Sequence, residues 1–348
     1  MGGLGLSLAL LVLLIGLAAL IALAGAVYQW AGMARDARRF PAPGCLVESG
    51  GGRLHIDAAG EGSPPVVFEA GIAATSLSWR LVQPEIAKLT RTASYDRAGL
   101  GWSVPASHPR GLWRVVEELR TLLGSAGIRE PRILVAHSYG GLVATAYAVR
   151  YSGEIAGMVL VDPVASADWC EPTELYRNML RRGILLSRRG ALLARLGVVR
   201  FALSLLGAGA RRLPKLVARA SSGRGLAFTE RMVAEIRKLP REVWPMIRAH
   251  WCDPKCFEGM AGYLEALPES AAIAKQASVT GAMRDLPLIV LSASNASPQE
   301  RAEHERLAQL SSLGRIEIVP GSGHWMHLDR PDIVIGAIRE MIARVRGQ

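Results

Sequence analysis

A serine on a tight turn between an apolar strand and a helix has its hydroxyl presented for nucleophilic attack, and residues 132–141 read that way. The run Arg132-Ile-Leu-Val-Ala-His-Ser-Tyr-Gly-Gly141 is β-branched and apolar up to Ser138, and two glycines follow. Leu142-Val-Ala-Thr-Ala-Tyr-Ala-Val149 then suits a helix. Strand, turn and helix in this order form a nucleophile elbow. The small residues leave room for the turn. Ala136 stands where that motif usually carries its first glycine. The helix N-terminus behind the serine offers free N–H groups to a developing negative charge. The chemistry to expect is acyl transfer through Ser138.

Such chemistry needs an oxyanion cradle, a base and an acid. Pro64-Pro-Val-Val-Phe-Glu-Ala-Gly71 reads as a buried strand ending in a glycine turn, so the N–H of Ile72 is one expected oxyanion donor. The N–H of Tyr139 is the other. Arg315-Ile-Glu-Ile-Val-Pro320 is a short strand, and Gly321-Ser-Gly-His-Trp-Met-His327 opens the loop after it. His324 directly follows the glycine turn and is the expected general base, with His327 as the competitor. The acid must lie at a strand end between Ser138 and His324 so that it can orient the imidazole. Asp162 ends the strand Ile155-Ala-Gly-Met-Val-Leu-Val161, and no Asp occurs between residues 286 and 328. The alternative is Glu300, which also fits a capping box in Ser297-Pro-Gln-Glu300. Tyr95-Asp-Arg-Ala-Gly-Leu-Gly-Trp-Ser103 is a glycine-punctuated loop after another strand, in which Asp96 and Arg97 are expected to pair and fix the loop.

Short apolar strands alternate with helical stretches, which calls for a mostly parallel sheet with helices on both faces. The site then belongs at the carboxyl ends of the strands, and Ser138, Asp162 and His324 all fall just past strand ends. The core is expected in two parts, residues 45–164 and 285–348, around a helical cap or lid at 165–284. Residues 29–44 read as an Arg- and Pro-containing linker.

With these parts in order, the chain resembles an α/β-hydrolase-fold serine hydrolase, close to a bacterial membrane-anchored group with a Tyr-Asp-Arg-Ala-Gly-Leu-Gly-Trp-Ser motif. The match runs from Gly52-Arg-Leu-His-Ile56 through Asp162-Pro163, and again from Leu286 to the C-terminus. The resemblance implies a Ser–His–acid triad with no metal and no organic cofactor. It also has precedent for an acid on the strand just after the elbow helix, where Asp162 falls. The departures are Ala136, Glu69-Ala-Gly71 where many relatives have His-Gly, and the missing Asp after the penultimate strand. Ser138 excludes relatives that need a carboxylate at the elbow, the haloalkane dehalogenases and epoxide hydrolases. The expected activity is carboxylic ester hydrolysis, esterase- or lipase-like. Acyl transfer to another acceptor, or perhydrolysis, would use the same triad, and a non-catalytic hydrolase-fold binding protein is the reading from another class.

Residues Leu4–Val27 carry no charge. As a helix they reach roughly 36 Å, enough for a hydrocarbon core of roughly 30 Å. A single-pass anchor at 1–28 is expected, with Tyr28 and Trp30 at the interface. A cleaved signal peptide is the alternative. Arg35, Arg38 and Arg39 bias the following domain toward the cytoplasm. The 348-residue chain has a net charge of +11, and the stretch from Arg181 to Arg248, with 14 Arg and 2 Lys against three Glu, exceeds that alone. A membrane-facing lid and a solvated Arg-rich surface both account for this charge. No nucleic-acid motif accompanies it, so nucleic acid is not an expected partner. Trp169, Trp244, Trp251 and Tyr263 are candidate walls of an apolar substrate pocket. Cys252 and Cys256 fit either a local disulfide or free thiols.

Overall fold

The computed structural model describes residues 2–207 and 234–347. Eight strands form one sheet: β1 (Cys45–Glu48), β2 (Arg53–Ala59), β3 (Val66–Glu69), β4 (Thr92–Tyr95), β5 (Arg132–His137), β6 (Ile155–Val161), β7 (Leu288–Ala293) and β8 (Gly314–Val319). Their order across the sheet is β1-β2-β4-β3-β5-β6-β7-β8. β1 and β2 are antiparallel, as are β2 and β4, and every later pairing is parallel. This is the expected mostly parallel sheet. Central strands β3, β5 and β7 are buried along their whole length, as a strand covered on both faces must be.

The helices, in chain order, are α1 (Gly2–Arg39), α2 (Gln83–Ala87), α3 (Leu112–Ser125), α4 (Gly140–Arg150), α5 (Ser166–Cys170), α6 (Glu174–Arg195), α7 (Val198–Gly207), α8 (Trp244–Cys252), α9 (Pro254–Glu265), α10 (Leu267–Ser278), α11 (Pro298–Ala308), α12 (Met326–Asp329) and α13 (Pro331–Arg346). One core layer joins α3 and α4 to the sheet through Leu119, Leu122, Leu134, Val143 and Tyr147. The other joins α2 and α13 through Ile86, Phe68, Val135, Ile338 and Met341. Helices α5 to α10 lie between β6 and β7 in the chain. Part of the basic stretch, residues 208–233, lies outside the described residues.

The expected linker at 29–44 is corrected over most of its length. α1 runs unbroken to Arg39, because nothing in residues 29–39 breaks a helix and because the cap holds them. Gln29 is buried, and its Nε2 donates to the Cys252 carbonyl at 2.7 Å. Glycine allows the close approach. A Cβ on Gly25 would overlap the Leu196 carbonyl oxygen, and one on Gly32 would overlap the Arg200 guanidinium. From Ser7 to Leu20, α1 is exposed along its length. It is long and apolar enough to cross a membrane.

Candidate active site

β5 delivers Ser138 and α4 begins at Gly140, so a single turn reverses the chain at the serine. Ser138 sits at φ 55°, a left-handed conformation uncommon for a residue with a Cβ. The turn is held by hydrogen bonds from the Ser138 N–H to the Val161 carbonyl at 3.2 Å and from the Gly141 N–H to the Ser138 carbonyl at 2.9 Å. The neighbouring glycines are steric necessities. A Cβ on Gly140 would lie 2.7 Å from Glu69 Cγ, and one on Gly141 would lie 2.8 Å from Pro163 Cβ.

His324 reaches across from the loop after β8. Its Nδ1 lies 2.7 Å from Asp162 Oδ2 and its Nε2 lies 2.9 Å from Ser138 Oγ. A carboxylate can only accept, so the Nδ1 proton points at Asp162 and Nε2 is left to accept the serine proton. Asp162 follows β6 directly at φ 44°. Its second oxygen, Oδ1, accepts from the Ala293 N–H at 2.9 Å. The end of β7 therefore contributes a backbone donor, and the carboxylate comes from β6. His324 is fixed from its other side, since its carbonyl accepts from His137 Nε2 at 2.7 Å.

The alternatives go elsewhere. Glu300 is the N3 residue of a complete capping box with Ser297 on α11. His327 is fully buried, its ring centroid 4.7 Å from that of Trp79 and 4.5 Å from that of His137. Neither of its ring nitrogens has a hydrogen-bond partner among the described residues. Burial, reinforced by the neighbouring His324, pushes its pKa down to about 3.

The glycine turn after β3 meets the elbow. A Cβ on Gly71 would lie 3.0 Å from His137 Nδ1 and 3.5 Å from Ser138 Cβ. Among the described residues, the N–H groups of Ile72 and Tyr139 donate to no protein acceptor. Beside the turn lies a small cavity of about 60 Å³. It is walled by Ala73 and Ala74 just past Ile72, by Trp325 just past His324, and by Leu239, Ile247 and Trp251 of the cap. Of the four expected wall aromatics, Trp251 alone lines it. Tyr263 is buried with its hydroxyl donating to the Ala98 carbonyl at 3.2 Å. Trp244 donates to Leu239 O at 2.9 Å, and Trp169 lies against Tyr176.

The expected Asp96–Arg97 pair does not form. Adjacent residues leaving a strand point to opposite faces. Asp96 pairs with His55 Nδ1 at 2.9 Å and accepts from the Ser76 N–H at 2.7 Å. Arg97 pairs with Glu69, and its guanidinium also donates to the carbonyls of Ala70 and Gly71. The Tyr95 hydroxyl donates to the other Glu69 oxygen. Burial raises the Glu69 carboxyl against the pull of Arg97. Cys252 and Cys256 are both free thiols, and burial pushes Cys256 up to about 12. Among the described residues there is no cluster of ligands fit for a metal ion.

Comparison with known proteins agrees with this architecture. The Bacillus subtilis protein YqjL, which is uncharacterized, is 33% identical over 130 residues, covering 36% of this chain and 51% of its own length. A monoacylglycerol lipase of Mycolicibacterium smegmatis is 44% identical over 63 residues, covering 17% of this chain and 22% of the lipase. The chain spans about half the length of the curated relatives it matches first. Among solved structures, a thermophilic esterase from Thermogutta terrifontis superposes with a TM-score of 0.60 at 20% identity, over 86% of this chain and 98% of the esterase. An enol-lactonase from Burkholderia xenovorans gives 0.59 at 19% identity, over 86% of this chain and 100% of that one. The model of the alpha/beta hydrolase family matches residues 66–337, from the first buried strand to the last helix, and the chain belongs to that family.

Proposed function

We propose that the protein is a membrane-anchored serine hydrolase that cleaves carboxylic esters through an acyl-enzyme. The observation that carries this reading is the relay in which His324 joins Asp162 Oδ2 at 2.7 Å to Ser138 Oγ at 2.9 Å. In the reaction, Ser138 Oγ attacks the acyl carbonyl carbon while His324 Nε2 takes its proton. Asp162 holds the imidazole in the required tautomer and stabilises the imidazolium. The N–H groups of Ile72 and Tyr139 receive the negative charge of the tetrahedral oxygen. Collapse breaks the ester C–O bond, and His324 protonates the departing alcohol. A water molecule then gives a proton to His324 and attacks the acyl-serine carbonyl; as that tetrahedral intermediate collapses the C–Oγ bond breaks, His324 returns the proton to Ser138 Oγ, and the acid leaves.

The apolar lining from Leu239, Ile247 and Trp251 supports an acyl group with an apolar tail, and the small volume beside the turn supports a short one. The anchor reading is supported by the continuity of α1. An apolar helix that runs straight into buried contacts with the cap is built as part of the folded molecule rather than as a detachable leader.

The test is turnover of nitrophenyl esters from acetyl to long acyl, wild type beside Ser138→Ala, with the full chain in detergent. Turnover on short acyl chains that disappears in the variant is expected. Equal turnover by both proteins, or none by well-folded wild type together with no fluorophosphonate labelling of Ser138, would overturn it.

A further inference from the structure

Helix α8 has two working faces. Ile247, His250 and Trp251 line the small cavity bounded by Ala73, Ala74 and Trp325. Pro245, Arg248, Ala249 and Cys252, spaced to share the opposite side of the helix, line a second pocket of about 300 Å³ between the cap and α1. Arg35, Asp36 and Arg39 of α1, Arg200 of α7 and Arg248 of α8 meet around it. Four guanidinium groups thus face one carboxylate, and that carboxylate is already engaged by Arg200 Nη1. Arg200 is only 5% exposed. Its Nε donates to Gln29 Oε1 at 2.9 Å, and its Nη2 has no hydrogen-bond partner among the described residues. Arg35, Arg39 and Arg248 make no ion pair among those residues, and Arg248 Nη2 donates to Ser204 Oγ at 2.9 Å.

A buried guanidinium beside three arginines without ion pairs is a concentration of positive charge that is costly unless an anion fills the pocket. We propose that this pocket binds a phosphate group, clamped between the last turns of α1 and the cap. Phosphate fits because its oxygens diverge and each can accept from a different guanidinium, which a second carboxylate cannot match. Position adds to the argument. The apolar run of α1 ends at Val27, and the pocket wall begins with Tyr28 on the next residue. With α1 in a bilayer, the pocket opens at headgroup depth, where negatively charged lipids concentrate cationic side chains. The phosphate is carried either by such a lipid or by a small soluble molecule, and the pocket chemistry is the same for both.

The test uses the full chain in neutral detergent, titrated with inorganic phosphate and with short-chain phosphatidylglycerol, binding being followed by native mass spectrometry and by Tm. Wild type is expected to bind one equivalent saturably. Tight phosphatidylglycerol binding with weak inorganic phosphate binding identifies a lipid headgroup, and comparable affinities identify a soluble phosphate. R35Q/R248Q, which removes two exposed arginines of the pocket and leaves the buried Arg200 network intact, should weaken binding at least ten-fold with unchanged circular dichroism. R181Q/R182Q, which removes the same charge from α6, should bind as wild type does. Absence of saturable binding to either probe overturns the proposal. So does an equal loss of affinity in both double variants, which would leave diffuse surface charge as the cause.

Discussion

Arg97 donates from its guanidinium to the carbonyl oxygen of Gly71, the residue whose peptide carries the N–H of Ile72. In a trans peptide the C=O and the N–H point in opposite directions. Holding the Gly71 oxygen toward Arg97 therefore turns the Ile72 N–H away from Arg97. Glu69 holds Arg97 in place, and Tyr95 holds Glu69. This buried chain of hydrogen bonds serves the proposed oxyanion site from beneath. For Arg97→Lys, which keeps the charge but loses the fork, we expect kcat to fall by about ten- to a thousand-fold with KM little changed. Steady-state kinetics on one ester checks the split, and a pure KM effect would argue against positioning.

Asp162 and Glu300 separate cleanly by experiment. Asp162→Asn leaves the geometry in place but favours the wrong imidazole tautomer, so turnover should drop about 10⁴-fold. Glu300→Gln keeps most of the capping box and should cost less than about 1 kcal/mol of stability, with turnover unchanged. Kinetics of the two variants side by side would reverse the assignment if Glu300→Gln were the inactive one.

The acid and the histidine of this site illustrate what a sequence can and cannot tell. Ser138, Tyr139, the Gly71 turn and His324 were legible because backbone geometry demands small residues at fixed offsets around them. Nothing local in the sequence marks Asp162 as the candidate acid, and elimination alone points to it; what singles it out in the structure is His324 Nδ1, 162 residues away, at 2.7 Å from its Oδ2. The Glu69–Arg97 and His55–Asp96 pairs were missed because side-chain partners chosen across neighbouring strands leave no periodic trace. The true length of α1 was missed for a similar reason. Residues 29–39 are polar enough to read as a linker, and only the cap surface opposite them shows why they stay helical.

Acid should weaken the fold. Burial holds His327 down to about 3 and His250 down to about 4, from 6.5 in the unfolded chain, and burial also lowers His137. Below pH 6.5 the unfolded chain takes up protons that these native imidazoles refuse, so stability present above pH 6.5 is lost as pH falls toward 4. His55 works in the opposite sense: burial lowers it, but Asp96 more than restores it, and its raised value offsets part of the loss. Each buried neutral histidine adds at most about 1.4 kcal/mol per pH unit. Tm measured from pH 7.5 to 5 should decline, and His327→Leu should flatten the decline. A level profile in wild type would contradict the burial assigned to these rings.

The docking of α1 on the cap rests on glycine. Gly25→Leu would drive a side chain into the Leu196 backbone, which has no soft atom to yield, whereas nothing lies within 4 Å of a Cβ on Gly16. Tm in detergent should fall for Gly25→Leu by several degrees and stay put for Gly16→Leu. Equal behaviour of the two would mean that the helix contributes nothing to the fold it touches.

A helix that is one piece from Gly2 to Arg39 and pinned at its far end is a strut, not a leash. At 1.5 Å per residue it measures about 57 Å. Seated in a bilayer, it would hold Ser138 and the fold around it at one altitude and one compass bearing over the lipid plane. The enzyme would then sweep a thin, fixed stratum as it diffuses sideways, meeting substrates that surface there and passing over those dissolved further out.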